Sequence, residues 1–230
     1  MRDDELLELW TRAGGSAPDA RGRVLAGMLS SVPDPGDAPI GDLNRALLDA
    51  WRTQFGDRMD CVTACAACGE RLEFELSAEA ILAAGAPAGP APVVEHGGRR
   101  LPLRMPTPCD LDAVAGAGSA TLARRELARR CARVDDEGEE VDALADAVSR
   151  ALEAADPHIA VGLVLTCPAC DARFRATVDV GAHVWAAVDS RARRVIAEVA
   201  ELAAAYGWTE DEVLRLPGAR RRAYAERAAR

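Results

Sequence analysis

The spacing of apolar positions in the first quarter of the chain has the period of an α-helix. Apolar residues recur three or four positions apart, which places them on one side of each predicted helix. The pattern predicts helices over residues 2–13, 19–29 and 41–55. A turn at residues 14–16 and a connector rich in Pro, Asp and Gly at residues 30–39 separate them.

After residue 56 the period changes, and strands alternate with helices. Strict alternation or a β-branched apolar run predicts a strand, whereas a return to helical spacing predicts a helix. Strands are expected over residues 71–76, 99–105, 159–166 and 173–180, and helices over residues 110–131 and 139–155. The Gly-Ala-Gly-Ser stretch at residues 116–119 is expected to be a turn between two helices.

The most regular pattern is a long amphipathic helix that begins near Ala182. Its apolar face is marked by Val184, Val188, Val195, Val199, Leu202 and Tyr206. Gly207 is predicted to end it, because glycine adopts the left-handed conformation without a Cβ penalty. Thr209 and Glu212 have the spacing of a capping box, which predicts a short helix. An Arg-rich helix is expected over residues 219–230.

Composition and charge argue against several classes of function. With 230 residues the chain can bury a real core without disulfides to compensate for small size. All 28 basic residues are arginine, and the absence of lysine removes the Walker-type phosphate loop and the Schiff-base lysine. A formal net charge of -9 disfavours non-specific binding to nucleic acid or to an anionic membrane.

The N-terminal segment does not have the pattern of a secretory signal. Three acids lie among its first five residues, where such a signal has positive charge followed by an apolar run. The longest uncharged stretches, 80–94 and 157–170, are shorter than the roughly 18 residues of a membrane span. We therefore expect a cytoplasmic protein without a transmembrane helix.

Two Cys-x-x-Cys pairs are the main candidate for chemistry. Cys65 and Cys68 precede one predicted strand, and Cys167 and Cys170 precede another. In a zinc knuckle, a tight turn at the tip of a β-hairpin lets two thiolates reach one ion. Gly69 suits such a turn, because glycine accepts a positive φ. Two knuckles together would fill a tetrahedral Zn²⁺ site, so the metal is expected to be structural.

A redox-active dithiol and unmetallated cysteines are the alternatives to the zinc site. The thioredoxin-type motif needs its first cysteine at a helix N-terminus, whereas both pairs here run into strand patterns. About 98 residues separate the pairs, which predicts an insertion between two halves of one ribbon. Cys61, Cys109 and Cys131 are expected to be ordinary small residues, with Cys61 the best spare ligand.

These observations predict an α+β fold that is mostly helical. It consists of a split four-cysteine zinc ribbon with two knuckle hairpins, a helical insertion between them and a long C-terminal amphipathic helix. The expected regions are an N-terminal helical region (1–58), the first knuckle with its strands (59–106), the helical insertion (107–156), the second knuckle (157–181) and the C-terminal helices (182–230).

No sequence motif indicates an active site. Paired carboxylates, a catalytic triad and a Gly-rich nucleotide loop are all missing from the sequence pattern. His96, His158 and His183 have no metal-binding spacing and are expected to be solvated or to cap helices. The protein is therefore expected not to be an enzyme and not to bind a small-molecule substrate.

Several segments resemble the T4-type bacteriophage baseplate protein family of tailed phages and related contractile injection systems. The matching segments are Leu6-Leu7-Glu8-Leu9-Trp10, Pro39-Ile40-Gly41-Asp42-Leu43-Asn44, Phe55-Gly56, the stretch from Cys65 to Phe74, Leu103-Arg104-Met105-Pro106-Thr107, Leu165-Thr166-Cys167-Pro168-Ala169-Cys170, Trp185, and the tail from Ala205 to Tyr224. The resemblance spans nearly the whole chain. Its most specific feature is the order of knuckle, helical insertion, knuckle and Tyr-Gly-Trp tail.

The resemblance implies a non-enzymatic part in a contractile-tail baseplate, as a hub assembly factor or a minor structural subunit. The expected partners are baseplate, spike or hub proteins, and the expected contact residues are Trp185, Trp208, Arg220, Arg221, Arg222 and Tyr224. Packing of Trp208 and Tyr224 on the long helix is an alternative interpretation of the tail. A zinc-ribbon protein that binds nucleic acid or acts in transcription, through its Arg-rich C-terminal helix, is the competing function.

Overall fold

The computed structural model describes residues 1–30, 32–83, 85, 90–134 and 141–228. Its helices are α1 (Asp3–Gly14), α2 (Arg21–Leu29), α3 (Ile40–Phe55), α4 (Ala78–Leu82), α5 (Pro108–Val114), α6 (Ala120–Ala132), α7 (Val141–Ala155), α8 (Val180–Tyr206), α9 (Glu210–Leu214) and α10 (Gly218–Ala228). Its strands are β1 (Arg58–Ala64), β2 (Arg71–Ser77), β3 (Val93–His96), β4 (Arg99–Pro102), β5 (Gly162–Thr166) and β6 (Arg173–Thr177). The predicted class, α+β and mostly helical, is confirmed.

The strands form antiparallel hairpins instead of a common sheet. β1 pairs with β2, β3 with β4, and β5 with β6, each as a two-stranded sheet. Two of these hairpins carry the cysteine pairs at their tips, and they are named here the first cysteine hairpin (β1–β2) and the second cysteine hairpin (β5–β6). Because 99 positions separate Cys68 from Cys167, their approach is a long-range feature of the fold.

The largest hydrophobic core, named here the main core, lies between the N-terminal helices and α8. The apolar faces of α1, α2 and α3 pack against α8, and Leu6, Leu48 and Val184 are fully buried there. Helices α2 and α8 come close at Gly22 and Gly181, because a Cβ on Gly181 would lie 2.9 Å from the Cα of Gly22. This core fixes the predicted long C-terminal helix against the start of the chain.

A second core is formed by chain that lies between the two cysteine pairs. β3, β4, α6 and α7 bury its residues, which include Leu101, Cys131, Leu144 and Val148. We call this cluster the intervening core. The β3–β4 hairpin thus shares a core with the helices that follow it. Residues between the cysteine pairs therefore have an apolar core of their own.

Several local predictions are confirmed. Gly207 has φ 71° and ends α8 in the left-handed conformation. Thr209 caps α9 and Glu212 closes the capping box. Residues 116–119 connect α5 to α6, as expected of a turn between helices. Residues 139–140 and 229–230 of the predicted helices lie outside the described part of the chain.

Other element bounds differ from the predictions. β4 ends at Pro102, β5 begins only at Gly162 and β6 ends at Thr177, so three predicted strands are too long. β6 ends early because Asp179 accepts a hydrogen bond from the Ala182 amide and starts α8 as its N-cap. β1, β3 and α4 were not predicted. β1 is hard to detect because apolar Val62 lies among the polar residues of its exposed face, which weakens the alternation.

Candidate metal centre

The first cysteine pair lies in a tight turn between β1 and β2. The Cys65 amide donates a hydrogen bond to the Glu70 carbonyl (2.8 Å), and the Gly69 amide donates one to the Cys65 carbonyl (2.9 Å). Gly69 has φ 77°, in the region that glycine adopts most easily. The prediction that Gly69 suits this turn through a positive φ is confirmed.

The second pair repeats the same hydrogen-bonding plan. The Cys167 amide donates to the Ala172 carbonyl (3.0 Å), and the Asp171 amide donates to the Cys167 carbonyl (2.9 Å). Asp171 takes the place of Gly69 and has φ 56°. Aspartate is among the few residues that tolerate this region, because its short side chain can bond locally. The two turns are therefore equivalent in geometry although their sequences differ.

The fold brings all four predicted ligands together. The Sγ atoms of Cys65, Cys68, Cys167 and Cys170 lie within 4.8 Å of one another, and we call this group the sulfur cluster. The Sγ–Sγ distance is 3.8 Å between Cys65 and Cys170 and 3.6 Å between Cys68 and Cys167. A disulfide needs about 2.0 Å, so these pairs are not bonded to each other.

The sulfur spacing fits a shared tetrahedral metal ion. Thiolates about 2.3 Å from one ion at tetrahedral angles lie about 3.8 Å from each other, close to the distances observed. Soft sulfur ligands without any oxygen donor suit a d-block cation better than Ca²⁺ or Mg²⁺. The cluster can therefore hold a metal ion whose four positions are all filled by the protein.

Each turn contributes one buried and one exposed cysteine. Cys65 and Cys167 are buried against Leu72, with Leu165 and Phe174 packed beside them. Cys68 and Cys170 are exposed. The sulfur cluster thus rests on a small apolar base that joins the two cysteine hairpins, while its other side faces solvent.

Backbone amides lower the pKa of Cys65 and act to lower that of Cys68, whereas the neighbouring thiols lower the pKa of Cys65 and raise that of Cys68. Hydrogen bonds from the amides of Cys68 and Ala67 lower the pKa of the Cys65 thiol to about 7. The Glu70 amide acts to lower the pKa of Cys68, but the adjacent thiols raise it to about 12. One sulfur is therefore prepared as a thiolate, whereas full ionisation of the cluster needs a cation to offset the accumulated charge.

The other three cysteines lie outside the sulfur cluster. Cys61 and Cys131 are buried, and Cys109 is exposed. Burial raises the pKa of the Cys131 thiol to about 11, and it also raises the pKa of Cys61. Cys61 faces the main core, where its thiol lies 3.8 Å from the Met59 carbonyl, so it is not placed as a fifth ligand.

Two of the predicted contact residues in the tail, Trp208 and Tyr224, form an aromatic group with Tyr206. Trp208 stacks on Tyr206 with ring centroids 4.8 Å apart, and Tyr224 meets Trp208 edge-on at 5.0 Å. The rings hold α10 against the end of α8, which favours the alternative interpretation that they pack the tail. Arg220 and Arg222 are exposed on α10.

Arg221 has an internal structural role. It is only 4% exposed and pairs with Asp3 and with Glu198, whose Oε2 lies 3.0 Å from its Nε. A guanidinium engaged in this way links the C-terminal helix to the first turn of α1. Arg221 is thus engaged within the chain, and its contact with a partner stays a prediction.

Trp185 also packs within the chain. The Arg21 guanidinium carbon lies 4.9 Å from the centroid of its ring, and the ring edge approaches Gly14. The residue is half-buried, so only part of its surface remains for a partner. Its role in partner binding stays a prediction.

A buried polar cluster was not predicted from the sequence. Asp156 and His158 are 1% and 0% exposed, so His158 is not solvated, and of its two expected roles only helix capping remains. Arg45 Nη1 donates to Asp156 Oδ1 (2.9 Å), and Asn44 Nδ2 donates to the His158 carbonyl (2.8 Å). His158 Nε2 lies 3.1 Å from the Ile81 carbonyl oxygen. The cluster joins α3 to the chain that enters the second cysteine hairpin.

The comparisons with known proteins identify no relative. No family model, curated protein or solved structure matches this chain. None of the helices among the described residues is long and apolar enough to cross a membrane.

Proposed function

We propose that the sulfur cluster binds a structural Zn²⁺ ion. Four thiolates at tetrahedral spacing are the ligand set of structural zinc sites, which leave no position for water or substrate. The spacing of 3.6–3.8 Å between paired sulfurs is the observation that carries this proposal. Zinc would then stabilise the junction of the two cysteine hairpins.

Metal content of purified variants tests the zinc assignment. We expect about one zinc ion per chain in the wild type and a loss of most of it on Cys68→Ser or Cys170→Ser, measured by elemental analysis. Both residues are exposed, so the serine itself disturbs little packing. Cys109→Ser is the matched control, because Cys109 is an exposed cysteine outside the cluster. Unchanged zinc in the two cluster variants would rule the site out.

We further propose that the protein is a non-enzymatic assembly factor or minor structural subunit of a contractile-injection-system baseplate. Support comes from the way the segments that resemble baseplate proteins meet one another in the fold. The Ile40 amide donates to the Pro106 carbonyl (2.9 Å), which joins two of these segments. The two cysteine segments meet at the sulfur cluster, and the Tyr-Gly-Trp tail closes on Tyr224. Four of the resembling segments thus meet in pairs within the fold.

Deletion of the gene tests the baseplate role. We expect incomplete or non-contractile particles by electron microscopy, and complementation by the wild-type gene as the control. Co-purification with spike, wedge or sheath proteins would identify the partner. Complete, contractile particles from the deletion strain would contradict the proposal.

The competing function, nucleic-acid binding, has less support in the charge arrangement. Arg221, at the centre of the Arg-rich helix, already forms ion pairs with Asp3 and Glu198. The net charge of -9 also opposes binding to a polyanion. Steeply salt-dependent binding of DNA or RNA by the purified protein would reverse this choice.

A further inference from the structure

Two sulfurs of the sulfur cluster are open to solvent, and each has a buried sulfur close to it. Cys68 and Cys170 are exposed, whereas Cys65 and Cys167 are 3% and 0% exposed. An oxidant that arrives from solvent therefore meets Cys68 or Cys170 first. A thiolate oxidised at such a position becomes a sulfenic acid, which a second thiolate within reach converts to a disulfide. The cluster provides both kinds of sulfur within 4.8 Å of one another.

The sulfur contacts between the two cysteine hairpins indicate which disulfides can form. The exposed Cys68 sulfur lies 3.6 Å from the buried Cys167 sulfur, and the exposed Cys170 sulfur lies 3.8 Å from the buried Cys65 sulfur. A disulfide is about 2.0 Å long, so each pair has to close by roughly 1.7 Å. Both pairs join different hairpins, so both bonds would link β1–β2 to β5–β6.

A disulfide within one turn would require a change of the backbone. The Cys68 amide donates a hydrogen bond to the Cys65 sulfur, and the Glu70 amide donates one to the Cys68 sulfur. The Cys65 amide and carbonyl are bonded in turn to Glu70 and Gly69. A bond between the two sulfurs of this turn would distort that network. A bond between hairpins forms by side-chain rotation and a small approach of two short hairpins that share only a small apolar base.

We propose that the sulfur cluster is a peroxide-sensitive switch that exchanges its metal for two disulfides between the hairpins, Cys68–Cys167 and Cys65–Cys170. The Cys68 thiolate attacks one oxygen of a hydroperoxide, the O–O bond breaks, and hydroxide or an alkoxide leaves with the electron pair. The Cys167 thiolate then attacks the sulfenic sulfur of Cys68, and hydroxide leaves as the S–S bond forms. Cys170 and Cys65 react in the same way, so two hydroperoxides are reduced while four thiolates become two disulfides.

The switch has two consequences for the molecule. The disulfide sulfurs no longer carry the negative charge that binds the cation, so the metal is released. The two hairpins stay joined, because the new bonds connect the same pair of turns. This inference rests on the proposed zinc site and adds a form of regulation to it.

Oxidation of the zinc-loaded wild-type protein tests the switch. Hydrogen peroxide should release zinc to a chromophoric chelator, with about two peroxides consumed per ion. Because the chain has no lysine, trypsin cuts it only after arginine, which places the first cysteine pair in peptide 59–71 and the second in peptide 151–173. After alkylation of free thiols, these peptides should be recovered as one linked pair, and fragment-ion spectra should locate the two proposed bonds.

Cys109 is the internal control for exposure to peroxide, because it is exposed but lies outside the cluster. It should still be a free thiol when the zinc is released. Non-reducing electrophoresis should show a single chain, and Cys109→Ser should give the same linked peptides. Dithiothreitol with added Zn²⁺ should restore the metal content. Separate peptides with a disulfide inside each turn, or oxidation of the cluster to sulfinic acids, would overturn the proposal.

Amide hydrogen exchange tests whether the oxidised hairpins remain joined. Exchange in β1–β2 and β5–β6 of the oxidised protein should stay within about tenfold of the zinc-loaded protein, because the disulfides replace the metal at the same junction. A larger rise would contradict this part of the proposal. Zinc that is present but stays bound after Cys109 has been oxidised would contradict the switch alone, whereas protein purified without zinc would contradict the metal assignment itself.

Discussion

At the scale of single residues, backbone geometry explains why the two cysteine turns accept different residues. The position after the second cysteine of each pair has positive φ, 77° at Gly69 and 56° at Asp171. The left-handed region costs most L-residues about 1–2 kcal/mol, and Asp is one of the exceptions. Glycine at this position was informative in the sequence, whereas aspartate gave no comparable signal for the second turn.

Gly41 has the least room for a side chain among the glycines that the structure describes. A Cβ there would lie 1.8 Å from Asp156 Oδ2, and Arg45 and the His158 amide hold that buried carboxylate in place. We expect Gly41→Ala to lower the free energy of unfolding by about 1–3 kcal/mol, as overpacking does. Helix propensity alone predicts the opposite sign, because Ala is preferred to Gly inside a helix by about 1 kcal/mol.

Urea denaturation followed by tryptophan fluorescence measures this change. Gly116→Ala is the control, since a Cβ there meets nothing within 4 Å, and its effect should stay within about 1 kcal/mol. A stabilising effect of Gly41→Ala would contradict the close approach of the Asp156 carboxylate to α3.

At the scale of elements, α5 is anchored by a buried carboxylate. Asp110 is 2% exposed, accepts a hydrogen bond from the Thr107 amide (3.0 Å) and pairs with Arg104 (2.6 Å) and Arg130 (3.1 Å). It therefore completes the capping box of α5 and joins that helix to α6. The hydrogen bond from Arg104, with those from Thr107 and Arg130, holds the pKa of this carboxyl well below its ordinary range.

The lowered pKa of Asp110 predicts a pH-dependent stability. Its contribution is present above the unfolded-state pKa of about 3.9 and is lost as the pH falls towards the lower folded-state pKa. We expect Asp110→Asn to cost about 2 kcal/mol near neutral pH, because it removes a buried charged partner. The difference in unfolding free energy between the variant and the wild type should shrink by about 1 kcal/mol between pH 5 and pH 3. In this range only the wild type takes up a proton at position 110 when it unfolds. Chemical denaturation at both pH values measures it, and a constant difference would contradict the assignment.

Elements were predictable from the sequence where one periodic face or a local cap determines them. α8, Gly207 and the Thr209 capping box follow from spacing alone. The four clustered cysteines were predictable because the Cys-x-x-Cys spacing defines each turn locally. The Asp156–His158 cluster was not, since its partner Arg45 lies 111 positions away from Asp156 and no local pattern links them. The internal ion pair of Arg221 was not predictable for the same reason, because its partner Asp3 is 218 positions away.

At the scale of the whole molecule, the sulfur cluster is a junction between parts that have separate cores. The main core joins the N-terminal helices to α8, and the intervening core is enclosed by β3, β4, α6 and α7. The apolar base of the cluster contains only three buried residues, Cys65, Leu72 and Cys167. So small an apolar cluster contributes little to joining the tips of the two hairpins, although Met59 and Cys61 also anchor the first hairpin in the main core.

Removal of the proposed zinc ion should therefore loosen the molecule unevenly. We expect a chelator to raise amide hydrogen exchange in β1–β2 and β5–β6 by at least about a hundredfold, because the proposed ion would supply folding free energy to these hairpins. Exchange in the helices of the intervening core should change by less than about tenfold, since Leu144 and Val148 are buried there independently of the sulfur cluster. Mass spectrometry of exchanged peptides separates these segments, and added Zn²⁺ should restore protection. A uniform rise in exchange along the chain would show instead that the two cores and the hairpins unfold as one cooperative unit.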